Sequence, residues 1–403
     1  MGIGEAVEPG STVRTDGLHA YRDLEGYVHH RQVQRQAQGE HLLPRAHRVL
    51  SLPKRWLLGT HQGAIAHEHL DDCLDKFTFW FNRQKSASRA TLFYRLAQQA
   101  VQVEPMNSMN NLLDGRAVAE GIHQDTARRA ASLKQRGVNA AVVFVRVGQD
   151  PASRAYVAMK EKAAARAGIS SQTRVLAETT KENELLELIA RLNADSAVHG
   201  ILVQAPLPRH ISETAIYSAV SPAKDVDGFH PLNAGKLILG DDTGFRPCTP
   251  AGIHELLIRC GAQIAGAEAV ILGRGNIVGK PMAAILMQKK PNAGATVTLC
   301  HSQTRDIAAH CRRADILIAA LGSPRFVTAG MVKPGAIVID VGVSRVPDPA
   351  SKGGWRLVGD VDFENVRAVA SRITPNPGGV GPMTIAMLLQ NTVRAAEMAA
   401  AQL

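Results

Sequence analysis

Short apolar runs recur along the chain beyond residue 195: Gly200-Ile-Leu-Val, Ala269-Val-Ile-Leu, Ala295-Thr-Val-Thr-Leu, Ile316-Leu-Ile-Ala-Ala and Ala336-Ile-Val-Ile-Asp-Val. Each is strand-length, and helical stretches lie between several of them. One such stretch runs from Ser153 to Ala167 and stops at Gly168; another opens at Met383-Thr-Ile-Ala-Met-Leu-Leu, with Pro382 suited to its first turn. Near-continuous apolar strands alternating with helices predict an α/β fold whose parallel sheet is covered on both faces. At 403 residues the chain is too long for one ordinary core, so two or three domains are expected.

The run Ala269-Val-Ile-Leu leads straight into Gly273-Arg-Gly-Asn-Ile-Val-Gly-Lys-Pro-Met282. Glycines at Gly273, Gly275 and Gly279 let the backbone turn tightly, and the helix that follows presents N–H groups to a pyrophosphate. The spacing is Gly-x-Gly-x-x-x-Gly, which taken alone fits either a dinucleotide site or an ordinary glycine-rich loop. The next strand runs into Cys300-His-Ser-Gln-Thr-Arg305 with no acid where one would meet the ribose hydroxyls of NAD. A carboxylate would repel a 2′-phosphate, whereas Ser302, His301 and the cations Arg274 and Arg305 would accommodate one, which favours NADP over NAD.

Composition narrows the setting. There is no run of eighteen apolar residues and no signal-like N-terminus, so a soluble, cytoplasmic protein without a membrane partner is expected. Five scattered cysteines lack Cys-x-x-Cys spacing and suggest neither zinc nor a disulfide framework. The formal charge of +10 is spread along the chain, which fits anionic small molecules and solubility better than nucleic acid. Composition changes near residue 105: the first 105 residues hold eight of the fifteen histidines and two of the three tryptophans.

Within that first part, Pro44-Arg-Ala-His-Arg-Val-Leu, Lys54-Arg-Trp-Leu-Leu-Gly-Thr-His-Gln-Gly and Phe77-Thr-Phe-Trp-Phe-Asn-Arg-Gln-Lys resemble the C-terminal end of a DDE-type insertion-sequence transposase, over residues 44–102. Upstream acids for two metals are missing, and Leu52 stands where that family carries an Asn. His61, His67 and His69 have no acidic partners, and Trp56, Phe77, Phe79 and Phe81 read as packing residues of a truncated fold. Residues 1–105 are therefore expected to be an appendage, with Met106 or Met109 the functional beginning.

Beyond residue 106 the chemistry-bearing residues come in clusters. Tyr156 and Lys160 stand four apart on one helix face, presenting a ring and an amine together. A solvated lysine is a poor base at neutral pH, so proton work needs burial or neighbours. Gln204, at the end of Gly200-Ile-Leu-Val, can hydrogen-bond that amine without adding charge. The other reading is a surface helix on which Lys160 and Lys162 are two of several solvated lysines.

These residues sit in Val147-Gly-Gln-Asp-Pro-Ala-Ser-Arg-Ala-Tyr-Val-Ala-Met-Lys160 and Gly200-Ile-Leu-Val-Gln-Ala-Pro-Leu-Pro208. Lys224-Asp-Val-Asp-Gly-Phe-His-Pro231, Pro247-Cys-Thr-Pro-Ala-Gly252 and Thr374-Pro-Asn-Pro-Gly-Gly-Val-Gly-Pro-Met-Thr384 follow. In this order, over about 109–400, the motifs resemble the bifunctional methylenetetrahydrofolate dehydrogenase/cyclohydrolase family. The resemblance implies oxidation of 5,10-methylenetetrahydrofolate by NADP and hydrolysis of the methenyl product to 10-formyltetrahydrofolate, without a metal and in a homodimer. It implies a folate domain of residues 106–248 and 375–403, an NADP-binding domain of 249–374, and a cleft between them. Lys160 would support hydrolysis, Gln204 tune it and Tyr156 pack near the folate ring. Asp227 would anchor the pterin, with Asp225 the alternative or else a structural acid of the turn. Val203, Pro377, Gly378, Gly379 and Val380 would complete the substrate site; Gly273, Arg274, Gly275, Gly279, Ser302 and Val343 would hold the cofactor. Three positions depart from the family pattern: Gly275 for a common Ser, Ala205 for Leu and Asn376 for Val.

Overall fold

A computed structural model describes residues 111–401 apart from Ala350 and Lys352, and two short paired strands near the N-terminus, β1 (Thr12–Thr15) and β2 (Val28–Arg31). The chain divides into two units, Met1–Val103 and Glu104–Leu403. The transposase-like stretch of 44–102, with its histidines and aromatics, and both alternative start positions lie outside the described residues.

The second unit opens with α1 (Gly115–Gln135), whose N-terminal amides are capped by Asp114 accepting from Arg116 N at 2.8 Å and Ala117 N at 3.3 Å. Its buried stripe, Ala119, Ile122, Thr126, Ala130 and Leu133, follows helical spacing and packs on the last helix. Then come β3 (Ala141–Val147), α2 (Pro151–Arg166), β4 (Ser170–Leu176), α3 (Glu182–Ala194) and β5 (Gly200–Val203), forming a parallel sheet in the order β4-β3-β5. Both faces of β3 are covered. Val142 and Phe144 meet residues of α1, α2 and the last helix on one side, while Val143, Val145 and Val147 meet Leu185, Ile189 and Ile216 on the other. Burying each such side chain stabilises the fold by roughly 1.5–3 kcal/mol.

Helices α4 (Glu213–Ala219), α5 (Pro231–Leu239) and α6 (Cys248–Arg259) lead to the second sheet. It is built from β6 (Glu268–Leu272), α7 (Gly279–Leu286), β7 (Thr296–Cys300), α8 (Ile307–Cys311), β8 (Ile316–Ala319) and β9 (Ile337–Asp340). A separate two-stranded hairpin of β10 (Ser344–Pro347) and β11 (Trp355–Val358) follows, then α9 (Phe363–Arg367) and β12 (Arg372–Ile373), which completes the sheet before α10 (Val380–Ala400). The five parallel strands run β12-β9-β8-β6-β7. Along β6 the alternation is clean: Ala269 and Ile271 face the cluster under α6 and α7, Val270 and Leu272 the cluster under α8 and α9. All four expected strands of this sheet are present within a residue or two, and α2 ends before Gly168 as its sequence implies. Helix α10 returns across the chain to pack against both α1 and α6. Among the described residues, no helix is long and apolar enough to cross a membrane.

Candidate active site

Helix α2 starts sharply because Asp150 caps it, accepting from Ser153 N at 2.6 Å, and Pro151 fits its first turn. That start sets the phase of the helix. One turn in, Tyr156 is 36 % exposed, and one turn further Lys160 is only 7 % exposed. The Lys160 ammonium nitrogen donates to Gln204 Oε1 at 2.9 Å. Gln204 sits at the end of β5 because its N–H continues the ladder to Val145 O at 2.8 Å. Its own amide donates from Nε2 to Ala205 O at 2.7 Å, which fixes which end of the amide faces the lysine. Burial pulls the Lys160 amine below the ordinary lysine range, with the charge of Asp227 acting in the opposite sense. The solvated-helix alternative is thereby overturned for Lys160, while Lys162 is exposed on the helix surface.

Asp227 owes its position to Asp225. Asp225 is buried and accepts from Gly228 N and Phe229 N at 3.1 Å each, from His230 N at 2.8 Å and from Asn233 Nδ2 at 2.8 Å. All its acceptor capacity goes into the turn, so it is the structural acid of the pair. Asp227, two residues on, is left facing Lys160 and Cys248; burial pushes its carboxyl above the usual range, and the Lys160 charge offsets part of this. Two residues of this cluster were not read as site residues in the sequence. Cys248, whose thiol is held well above its ordinary range by burial and by Asp227, donates to Val226 O at 3.2 Å. Asn391 of α10 donates to Val226 O at 2.8 Å and Arg246 O at 3.2 Å. Cys248 was visible inside Pro247-Cys-Thr-Pro but reads as a small apolar residue; Asn391 carries no local signal beyond a polar residue on an apolar helix face.

A cavity of about 360 Å³ opens where Tyr156 meets the proline loop before α10. Tyr156, Val343, Pro377, Gly378, Gly379 and Val380 all line it, so residues expected to serve folate and one expected to serve the cofactor come together. Arg116, His123 and Asp340 also line it and were missed in the sequence. Lys160, Gln204, Asp227 and Val203 are not among its lining residues; the Val203 side chain is 5 % exposed and packs into the core under β5.

At the carboxyl edge of the second sheet, Gly273 has φ +112°, and a Cβ there would lie 2.2 Å from Ala320 O. A Cβ on Gly279 would lie 1.9 Å from Gly273 O. Only glycine closes this turn, and the amides opening α7 have no side-chain cap. Gly275, in contrast, is exposed and would admit a side chain freely, so the serine usual there would fit. Gly273 N donates to Cys300 O at 2.9 Å, which sets Arg274 beside His301 and Ser302, all one or two residues from that bonded pair. Of the amides opening α7, Lys280 N donates to Gly275 O at 3.1 Å and Met282 N to Val278 O at 2.8 Å, so the glycine cradle and a basic rather than acidic strand end are what fit a phosphorylated dinucleotide. Among the described residues no group of three or more His, Cys, Asp or Glu is placed to hold a metal ion.

A doubly covered parallel sheet with a phosphate-type glycine turn, together with a buried amine–amide pair one helical turn from the cavity-lining Tyr156, defines a dinucleotide-dependent α/β enzyme. Residues 113–227 match the catalytic domain, and 247–400 the NAD(P)-binding domain, of tetrahydrofolate dehydrogenase/cyclohydrolase. The bifunctional protein FolD of Syntrophus aciditrophicus is 55 % identical over 289 residues, 72 % of this chain and 98 % of the relative. That of Chlorobium luteolum is 52 % identical over 290 residues, 72 % and 98 % respectively. Among solved structures, the FolD methylenetetrahydrofolate dehydrogenase/cyclohydrolase of Campylobacter jejuni is 48 % identical with a TM-score of 0.68, covering 71 % of this chain and 98 % of that one. The FolD of Trypanosoma brucei, solved with NADP cofactor and inhibitor, is 40 % identical with a TM-score of 0.68, covering 72 % and 98 %. The chain belongs to the tetrahydrofolate dehydrogenase/cyclohydrolase family. Residues 3–82 match an ISXO2-like transposase domain, so the transposase likeness begins well upstream of Pro44 and ends before residue 102.

Proposed function

We propose that the chain oxidises 5,10-methylenetetrahydrofolate with NADP and hydrolyses the resulting methenyl compound to 10-formyltetrahydrofolate, a one-carbon donor. The observation that carries the hydrolytic half is the buried Lys160 amine held at 2.9 Å by Gln204. The Gly273–Gly279 turn, Arg274 and Ser302 would hold NADP, which would supply the hydride acceptor. The protein's own part in that step is positioning: Tyr156 and the Pro377–Val380 loop hold the folate rings, Val343 borders the cofactor side, and the cleft sets the distance.

In the hydrolytic step water adds to the cationic one-carbon centre. Its oxygen forms the new C–O bond and its proton passes to the amine of Lys160, whose pKa burial lowers. One Lys160 N–H is committed to Gln204 Oε1, so the nitrogen lone pair has a fixed direction. The C–N5 bond then breaks as N5 takes the proton held by Lys160, and the new C–OH loses its proton to solvent to become the formyl C=O. Asp227 accepts from the pterin amino and ring N–H groups, a pairing that suits a carboxylate.

In this reading residues 106–248 and 375–403 form the folate domain and 249–374 the NADP-binding domain, with residues 1–105 a passenger in catalysis. The setting is the cytoplasm and the working form a homodimer. The open edge of β4, with Val175 47 % exposed, supports a partner at that face. Light scattering coupled to gel filtration tests the dimer. Following NADP reduction with 5,10-methylenetetrahydrofolate, and loss of methenyl absorbance in the absence of NADP, tests the two activities separately.

A further inference from the structure

Two buried acids of the second sheet take no part in the chemistry above. Asp340, at the end of β9, is 2 % exposed, and Asp360, after β11, is fully buried. Each is satisfied by main-chain N–H groups. Asp360 gathers the loop that follows β8: Leu321 N and Gly322 N donate to Oδ2 at 2.6 and 3.0 Å, and Ser323 N to Oδ1 at 2.8 Å. Asp360 in turn hangs on Asp340, which accepts from Asp360 N at 2.9 Å, Val361 N at 3.3 Å and Gly342 N at 3.2 Å.

The two carboxylates leave no space around them. A Cβ on Gly342 would lie 2.2 Å from the Asp360 carboxylate, and one on Gly359 would lie 1.7 Å from Asp340 Oδ2. Asp340 is fixed from behind by its N–H donating to Thr374 Oγ1 at 2.8 Å, immediately before the proline loop. Asn376 of that loop donates from Nδ2 to Gly342 O. A continuous chain of hydrogen bonds therefore runs from Leu321–Ser323 through Asp360 and Asp340 to Gly342, and on to the loop that borders the folate cleft.

The loops after β8 and β9 leave the carboxyl edge of a parallel sheet, where the far half of a dinucleotide lies once its phosphates rest on the first glycine turn. We propose that Asp340 and Asp360 are positioning residues for the dehydrogenase step, holding the Leu321–Ser323 and Gly342–Val343 loops at the spacing that hydride transfer needs. Both act through main-chain amides; Asp360 lies outside the cavity, whereas Asp340 also borders it. The Leu321–Ser323 loop carries none of the residues assigned to water attack at Lys160, so loosening it at Asp360 should separate the two activities. The inference rests on the NADP-dependent reading above.

The test uses the full chain and the variants Asp360→Asn and Asp340→Asn. An amide turns an NH₂ group toward donors that a carboxylate oxygen accepted, so part of the chain of bonds is lost with little change of shape. In Asp360→Asn, dehydrogenase kcat should fall about ten-fold or more, as a sub-ångström misplacement implies, while NADP-free hydrolysis of the methenyl compound stays within about two-fold; Asp340→Asn, at the cavity border, should show the same dehydrogenase loss. Without cofactor, hydrogen exchange at the amides of Leu321, Gly322 and Ser323 should quicken about ten-fold in Asp360→Asn. A parallel fall in both activities of Asp360→Asn, an unchanged dehydrogenase, or failure of both variants to fold would overturn the proposal, the last because the acids would then be holding the fold itself. A parent chain inactive in both assays would refute the functional reading instead, and unchanged exchange at the three amides would still count against the positioning role.

Discussion

Lys160 concentrates what is distinctive at the scale of a residue. Its amine is useful only because α2 carries it inward, away from the water that would keep it protonated, and because Gln204 supplies an uncharged partner. Lys160→Met should lower cyclohydrolase turnover by about 100-fold or more while reduction of NADP continues and the methenyl compound accumulates in the spectrum. Hydrolysis by the parent should rise with pH along a limb lying below that of an exposed lysine, since burial favours the neutral amine. Asp340 gives a second pH dependence, this time of stability. Burial raises its carboxyl to about 7 against an ordinary value near 3.8. Between those values the folded chain holds a proton that the unfolded chain has lost, so this contribution is full below about pH 4 and disappears as pH rises through about 7. Thermal melts of the parent should show that decline, and Asp340→Asn should flatten it.

At the scale of elements, legibility followed from how local each signal is. The apolar run of β6 and the glycines of the turn after it are consecutive residues that obey one steric rule, and both strand and turn could be placed from them alone. Tyr156 and Lys160 are separated by one helical turn, again a local relation. Strand β4, Ser170-Ser-Gln-Thr-Arg-Val-Leu, gives little warning because an edge strand exposed on most positions has no buried face to write into its sequence. Nor could the sequence decide what Asp225 does, since its four partners become visible only when the turn and α5 are built around it. Asp225→Ala should strand those donors and cost about 3 kcal/mol or more, measured by chemical denaturation, with both activities falling as Asp227 loses its place. The acid pair Asp340–Asp360 and the Asn391–Cys248 contact join residues far apart in sequence, and such pairings have no periodic signature.

Across the whole molecule, the family likeness occupies residues 113–400 in two consecutive matches, and the transposase likeness stops at residue 82. Every group assigned to chemistry here, from Tyr156 to Val380, falls within the second unit. A chain beginning at Met106 should therefore keep both activities within about two-fold of the full chain, because the differences between variants of independent regions add. Rates measured side by side would settle whether residues 1–105 obstruct the cleft. The most direct test of the central claim is one absorbance trace: the full chain, Lys160→Met and 5,10-methylenetetrahydrofolate with NADP, followed at the nicotinamide and methenyl bands together. The parent should reduce NADP with only transient methenyl compound, and the variant should reduce NADP while the methenyl band builds and persists. Absence of NADP reduction by the parent, or undiminished methenyl hydrolysis by the variant, would contradict the bifunctional assignment and the role of Lys160 respectively.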